Sequence, residues 1–116
     1  MSGIVFFRST NYERVARFYC EQVGASVWLE QSACTICKYD NMLFGFCDAE
    51  ETETGGILTF VTEDRQGVDE FYDRLEDRAR DEPSVTEAFD IYNFFAEDPD
   101  GRTMEFQTFL HETDPV

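Results

Sequence analysis

Apolar positions along this chain recur in two rhythms, and the rhythms follow one another in the same order twice. Val15, Phe18, Tyr19 and Val23 fall at helical spacing, as do Val68, Phe71, Tyr72, Leu75 and Ala79, and each set predicts a helix with one buried face. Thr10 and Glu13 are spaced as a capping box ahead of the first helix, and Asp64 is the expected cap of the second. Gly24 is placed to end the first helix, while the second is expected to run out in the charged stretch 78–82 before Pro83. Around the helices lie short runs rich in aromatic and β-branched residues, at 4–8, 26–30, 33–39 and 42–47, then at 57–62, 84–87, 91–97 and 103–109. These read as strands. The opening run of each set is apolar at both parities, which predicts a strand covered on both faces.

The last strand departs from an apolar pattern in an informative way. Asp98-Pro99-Asp100-Gly101 is a turn sequence, so 91–96 and 103–109 form a hairpin. In its second arm Thr103, Glu105 and Gln107 share one face, and Met104, Phe106 and Thr108 share the other. A lone carboxylate is thus carried into an otherwise apolar strand.

Comparing the chain with itself at an offset of 53 residues brings Gly3-Ile4 onto Gly56-Ile57, Phe7 onto Phe60, Val15 onto Val68, and Phe18-Tyr19 onto Phe71-Tyr72. The chain is one unit used twice. The expected class is α+β: two βαβββ modules forming curved mixed sheets around a central cavity, at about 3–48 and 56–110, joined by an acidic linker at 49–55. Its 116 residues suit a single domain.

Charge narrows the partners. Twenty-five acidic residues against nine basic ones give a net of −16, and Lys38 is the only lysine. Such a chain is repelled by nucleic acid and by anionic membranes, so neither is an expected partner. The same composition suits a halophile, because molar salt shortens the Debye length to about 3 Å and screens the self-repulsion. Residues 1–8 lack the basic start and apolar run of a signal peptide, and a cytoplasmic protein is expected. Cys20, Cys34, Cys37 and Cys47 are then expected to be reduced and buried. Cys34 and Cys37 have C-x-x-C spacing, but three residues apart on a strand they point to opposite faces, and no second pair completes a metal site.

Two βαβββ units side by side are expected to leave a trough suited to a small molecule, with Glu105, Gln107 and one parity of 4–8 facing into it. The repeated unit, the Phe-Tyr pair in each helix and the closing Asp-Pro-Asp-Gly-x-x-x-Glu-Phe together resemble the vicinal oxygen chelate superfamily of glyoxalases, bleomycin-resistance proteins and extradiol dioxygenases. In metal-dependent members the resemblance implies a divalent ion held by a His or Gln on the first strand, a carboxylate on the fourth, a His on the fifth and a Glu on the eighth. Those positions fall on Ile4, near Phe44 within one residue, near Gly56, and on Glu105. Glu105 alone matches, so no metal cofactor is expected. His111, the single histidine, is read as an exposed tail residue.

The resulting expectation is a metal-free small-molecule-binding protein of the bleomycin-resistance kind. Its walls are expected from Phe6, Phe44, Phe46, Leu58 and Phe60, and its polar anchors from Arg8, Glu105 and Gln107, with Tyr92 or Asn93. Arg8 is the expected ion-pair partner of Glu105. The alternative is a glyoxalase-type lyase, isomerase or dioxygenase in which Glu105 is the catalytic base or one metal ligand. The resemblance also implies a homodimer.

Overall fold

The computed structural model describes residues 2–116. In chain order it runs β1 (Ile4–Ser9), α1 (Tyr12–Phe18), a π-helical turn (Tyr19–Val23), β2 (Ser26–Gln31), β3 (Cys34–Tyr39), β4 (Met42–Asp48), β5 (Ile57–Val61), α2 (Arg65–Leu75), a 3-10 turn (Glu76–Arg78), β6 (Ser84–Thr86), β7 (Ile91–Glu97) and β8 (Thr103–Phe109). The order βαβββ is present twice, in two four-stranded mixed sheets, β1-β4-β3-β2 and β5-β8-β7-β6. In each sheet the first and last strands of the repeat pair in parallel and the other pairs are antiparallel. The chain forms two compact units: residues up to Gly55 with Asp98–Arg102, and Gly56–Glu97 with Thr103–Val116.

In the first unit α1 and its π turn lie on one face of the sheet. Val15, Tyr19 and Val23 are buried there, and the Tyr19 ring stacks on Phe46 and meets Phe44 edge-on, each at 5.3 Å between centroids. The expected capping box does not form. Asn11 occupies the cap position without a side-chain bond, and Thr10 turns to Thr52, its N–H donating to the Thr52 hydroxyl at 3.0 Å. The end is as expected: Gly24 closes the π turn at φ 96°, a conformation a side chain would strain, with its N–H on the Tyr19 carbonyl.

In the second unit Asp64 caps α2, accepting from the Gly67 N–H at 2.9 Å. Val68, Phe71 and Leu75 face the sheet, where Phe106 packs against Phe71, Phe94 and Phe60 at 4.5, 5.2 and 5.4 Å. α2 stops sooner than its apolar stripe suggested. Ala79 is extended and bridges to Ala96, and Arg80 donates its N–H to the Phe95 carbonyl at 2.8 Å. Backbone bonds to β7 thus replace the helix ladder through this charged stretch.

Candidate ligand-binding face of the second unit

Strand alternation decides which side chains meet the helix and which look away from it. In the second sheet the helix side takes Leu58, Phe60, Phe94, Met104 and Phe106, all buried. The opposite side takes Thr59, Asn93, Phe95, Glu105 and Gln107, which the strand register sets beside one another: Thr59 opposite Glu105, Glu105 opposite Phe95, and Gln107 opposite Asn93.

Glu105 is the centre of this helix-free face and only 8% exposed. Its Oε1 accepts from the Thr59 hydroxyl at 2.9 Å and from Gln107 Nε2 at 3.2 Å, and its Oε2 accepts from Asn93 Nδ2 at 2.8 Å. Because the carboxylate accepts, Asn93 must turn its amide nitrogen inward. Its Oδ1 then accepts the Thr86 hydroxyl at 2.8 Å. The carboxylate therefore sits among neutral donors, with about one of its roughly four acceptor sites left over. Around it on the same face stand Ile57, Val61 and Phe109, each more than two-fifths exposed.

The expected site residues divide between the two faces. Glu105 and Gln107 lie on the helix-free face of the second sheet. Phe6 and Arg8 lie on the helix-free face of the first, where the Phe6 ring covers Gly45 closely enough that a Cβ there would meet it at 2.7 Å. Phe44, Phe46, Leu58 and Phe60 are not walls of an open face: all four are buried on the helix side of their sheets. Strands apolar at both parities do not announce which parity meets the helix. Tyr92 also turns to its helix, donating its hydroxyl to Asp69 Oδ1 at 2.6 Å beneath the Arg65 guanidinium. That bond to a carboxylate, followed by burial, holds the Tyr92 phenol above its ordinary range. Arg8 does not serve Glu105. It lies 3.9 Å from the Glu53 carboxylate, which also accepts its backbone N–H at 2.9 Å. His111 is exposed, bonded to the neighbouring Glu112 carbonyl.

Ile4, Phe44 and Gly56 offer no ligating side chain, two of the three groups bonded to Glu105 aim N–H donors at it, and among the described residues no group of three or more His, Cys, Asp or Glu could hold a metal ion.

Two features escaped the sequence reading. Thr59 and Thr86 complete the Glu105 network; the signal was there in Thr59, the one polar residue in 57–61. The second is a buried charge cluster in the first unit. The Arg102 guanidinium, wholly buried, donates to Asp98 Oδ2 at 2.7 Å and to the Glu53 carbonyl at 2.5 Å, and lies over the rings of Phe7 and Phe46. Tyr19 donates its hydroxyl to the same Asp98 oxygen at 2.7 Å. Burial, then the Asp98 charge, pushes the Tyr19 phenol far above its ordinary value. Asp98 Oδ1 meanwhile accepts the N–H groups of Asp100 and Arg102, fixing the turn.

The cysteines also differ from expectation. Cys34 and Cys47 form a disulfide between β3 and β4. Ala33 and Asp48 are the adjacent hydrogen-bonded pair, so Cys34 and Cys47 occupy a close, non-hydrogen-bonded position with Cα atoms 4.1 Å apart. Cys37 is buried on the other face, and Cys20 is partly exposed.

This α+β arrangement is the fold of the glyoxalase, bleomycin-resistance and dioxygenase proteins. A glyoxalase/bleomycin resistance protein/dioxygenase family enzyme from Burkholderia phytofirmans superposes with a TM-score of 0.80 at 14% identity, over 92% of this chain and 97% of its own. An integron cassette protein from the mobile metagenome of the Halifax Harbour sewage outfall also reaches 0.80, at 19% identity over 94% and 98%. The lactoylglutathione lyase of Agrobacterium tumefaciens gives 0.75 at 17% identity over 93% and 92%. No family model and no curated protein matches the sequence. No helix among the described residues is long and apolar enough to cross a membrane.

Proposed function

We propose that this chain binds a small amphipathic molecule on the helix-free face of its second sheet, without a resident metal. The observation that carries the reading is Glu105: a carboxylate all but removed from water, held by Thr59, Asn93 and Gln107, with one acceptor site unused and exposed Ile57, Val61 and Phe109 beside it. A ligand hydroxyl or amino group fills the last acceptor site, and its apolar part covers the exposed side chains.

The test is a calorimetric and thermal-shift screen of aromatic alcohols, catechols and amines. The expected hit raises the melting temperature, is unaffected by chelator, and loses at least about tenfold in affinity in Glu105→Gln, roughly one charge-assisted hydrogen bond. Ligands that bind Glu105→Gln as tightly as the parent would overturn the reading. The second reading, a lyase, isomerase or dioxygenase using Glu105 as base or ligand, draws on the fold shared with the Agrobacterium lactoylglutathione lyase. Stoichiometric nickel, zinc or iron in the purified chain, with dicarbonyl-adduct turnover, would favour it.

We further propose a homodimer, supported by the exposed Val5, Phe6, Val27, Trp28 and Leu29 and checked by light scattering. High-salt adaptation is proposed from the charge of −16. A melting temperature that falls as potassium chloride rises from millimolar to molar would count against it.

A further inference from the structure

The outer strand of the first sheet changes its facing partway along. β2 pairs with β3 in a register that shifts between Val27 and Leu29, which sets Val27 opposite Cys37 and Glu30 opposite Thr35. Thr35 and Cys37 in turn pair with Phe46 and Phe44, whose rings meet Tyr19, so both lie on the helix side of the sheet. On a regular strand Val27 and Glu30, three residues apart, would face opposite ways; the bulge turns both toward α1. Between α1 and these strands lies a cleft of about 480 Å³, a size that suits a small molecule.

One wall of the cleft holds a hydroxyl with nothing to bond. Thr35 lines the cleft, is only 7% exposed, and has no side-chain hydrogen bond among the described residues. The one fully sealed side-chain nitrogen or oxygen without a partner among those residues is Arg102 Nε, so the Thr35 hydroxyl keeps an opening, and the cleft is that opening. Cross-strand neighbours have Cβ atoms about 5 Å apart, yet no hydrogen bond joins Glu30 to Thr35. Glu13 and Glu21 stand along the helix side of the cleft against a single guanidinium, Arg17. No three His, Cys, Asp or Glu among the described residues gather closely enough to hold a metal ion, so these carboxylates are spread along the cleft and do not converge on a point.

We propose that this cleft binds a linear aliphatic amine carrying two or more ammonium groups. An ammonium brings three N–H donors and no acceptor, which suits a hydroxyl with unused lone pairs beside a carboxylate. One ammonium donates to the Thr35 hydroxyl and to Glu30, the methylene chain lies over Ala16 and Val27, and a further ammonium meets Glu13 or Glu21. Three carboxylates less Arg17 leave two negative charges, and a chain with its charges set apart neutralises them where a single metal ion does not.

The chain carries a net charge of −16, so a polyamine also associates diffusely with its surface, and the experiment separates that from the cleft. Spermidine titrated into the intact chain in a calorimeter, at physiological ionic strength, is expected to bind once per chain. Glu21→Gln with Glu30→Gln should weaken binding at least about tenfold. Glu50→Gln with Glu51→Gln removes the same charge from the linker and should change it less than about twofold. Thr35→Val keeps every charge and should weaken binding about fivefold, one neutral acceptor lost. Should Thr35→Val not fold, Cys20 in the wall of the parent's cleft decides: bound spermidine is expected to slow its alkylation by uncharged iodoacetamide at least about fivefold, read by mass mapping. The proposal fails if the two double variants weaken binding equally, if folded Thr35→Val binds as tightly as the parent, or if saturating spermidine leaves Cys20 alkylation unchanged.

Discussion

The two units repeat one strand register and fill its equivalent positions with opposite chemistry. Matching Ile4 opposite Leu43 with Ile57 opposite Thr103 makes Gly45 the counterpart of Glu105 and Phe6 the counterpart of Thr59. By the same count Cys34 and Cys47 correspond to Asn93 and Gln107. On its helix-free face the first unit has a ring over a glycine beside a disulfide; the second has a hydroxyl on a carboxylate beside two amides. On the helix side the contrast reverses. The first unit buries Arg102, Asp98 and the Tyr19 hydroxyl, whereas the second stacks Phe60, Phe71, Phe94 and Phe106. A duplicated backbone therefore fixes where a polar cluster can stand without fixing its chemistry: one cluster seals a charged pair beneath its helix, and the other gathers neutral donors around one carboxylate on the helix-free face.

The sealed cluster is the more fragile. Asp98→Ala removes the nearer of the two carboxylates paired with the buried Arg102 guanidinium and leaves only Asp100 Oδ2 at 3.5 Å, and breaking a buried ion pair costs up to about 3–5 kcal/mol. Urea unfolding should show a loss of that size; a loss under about 1 kcal/mol would mean that Arg102 escapes to water. Alkali probes the same cluster. The folded Tyr19 phenol is held above its unfolded value near 10, so its contribution is complete below about pH 10 and shrinks as pH rises further, since only the unfolded chain gives up that proton. Tyr19→Phe should remove part of the alkaline decline in stability that the parent shows. An unchanged decline would assign it elsewhere.

The disulfide is expected to rank next. Its two cysteines are 13 residues apart, and opening a loop of that length returns about 2–3 kcal/mol of freedom to the unfolded chain. Replacing both Cys34 and Cys47 with Ser should lower stability by about that much while leaving ligand binding at Glu105 intact. Lost binding with retained fold would show that the first unit's covalent link shapes the second unit's site.

How far the sequence could be read follows from these same residues. The duplication, the strand runs and the Asp64 cap were legible because each rests on local spacing, and Glu105 was assigned to its face because β8 alternates polar with apolar. The faces of β4 and β5 were not, since Phe44, Phe46, Leu58 and Phe60 sit in strands with apolar residues at both parities. Thr10 looked like half a capping box until Thr52, far along the chain, offered a better partner. Tyr19 carried a helical signal for its ring and none for its hydroxyl, whose acceptor is Asp98, 79 residues away. The Cys34–Cys47 bond depends on the register of β3 and β4, which spacing alone leaves open. Local chemistry is written in neighbours; pairing across the fold is not.

The smallest effects separate a site from filler. Glu105→Gln puts an amide N–H₂ where a carboxylate oxygen received a donor, so at least one of Thr59, Asn93 or Gln107 loses its acceptor in a nearly dry place, at a cost of about 1–3 kcal/mol. The matching change in the other unit, Gly45→Ala, puts a methyl group where the Phe6 ring lies, yet Phe6 is 48% exposed and has room to swing outward. Removing a glycine from a strand also restricts the unfolded chain, a gain of about 0.4–1 kcal/mol that opposes the crowding. The two terms nearly cancel, and Gly45→Ala is expected to change stability by less than about 1 kcal/mol in chemical denaturation. A loss above about 2 kcal/mol would mean that Phe6 is as firmly fixed as Glu105, and that the two helix-free faces are alike in rigidity despite their chemistry.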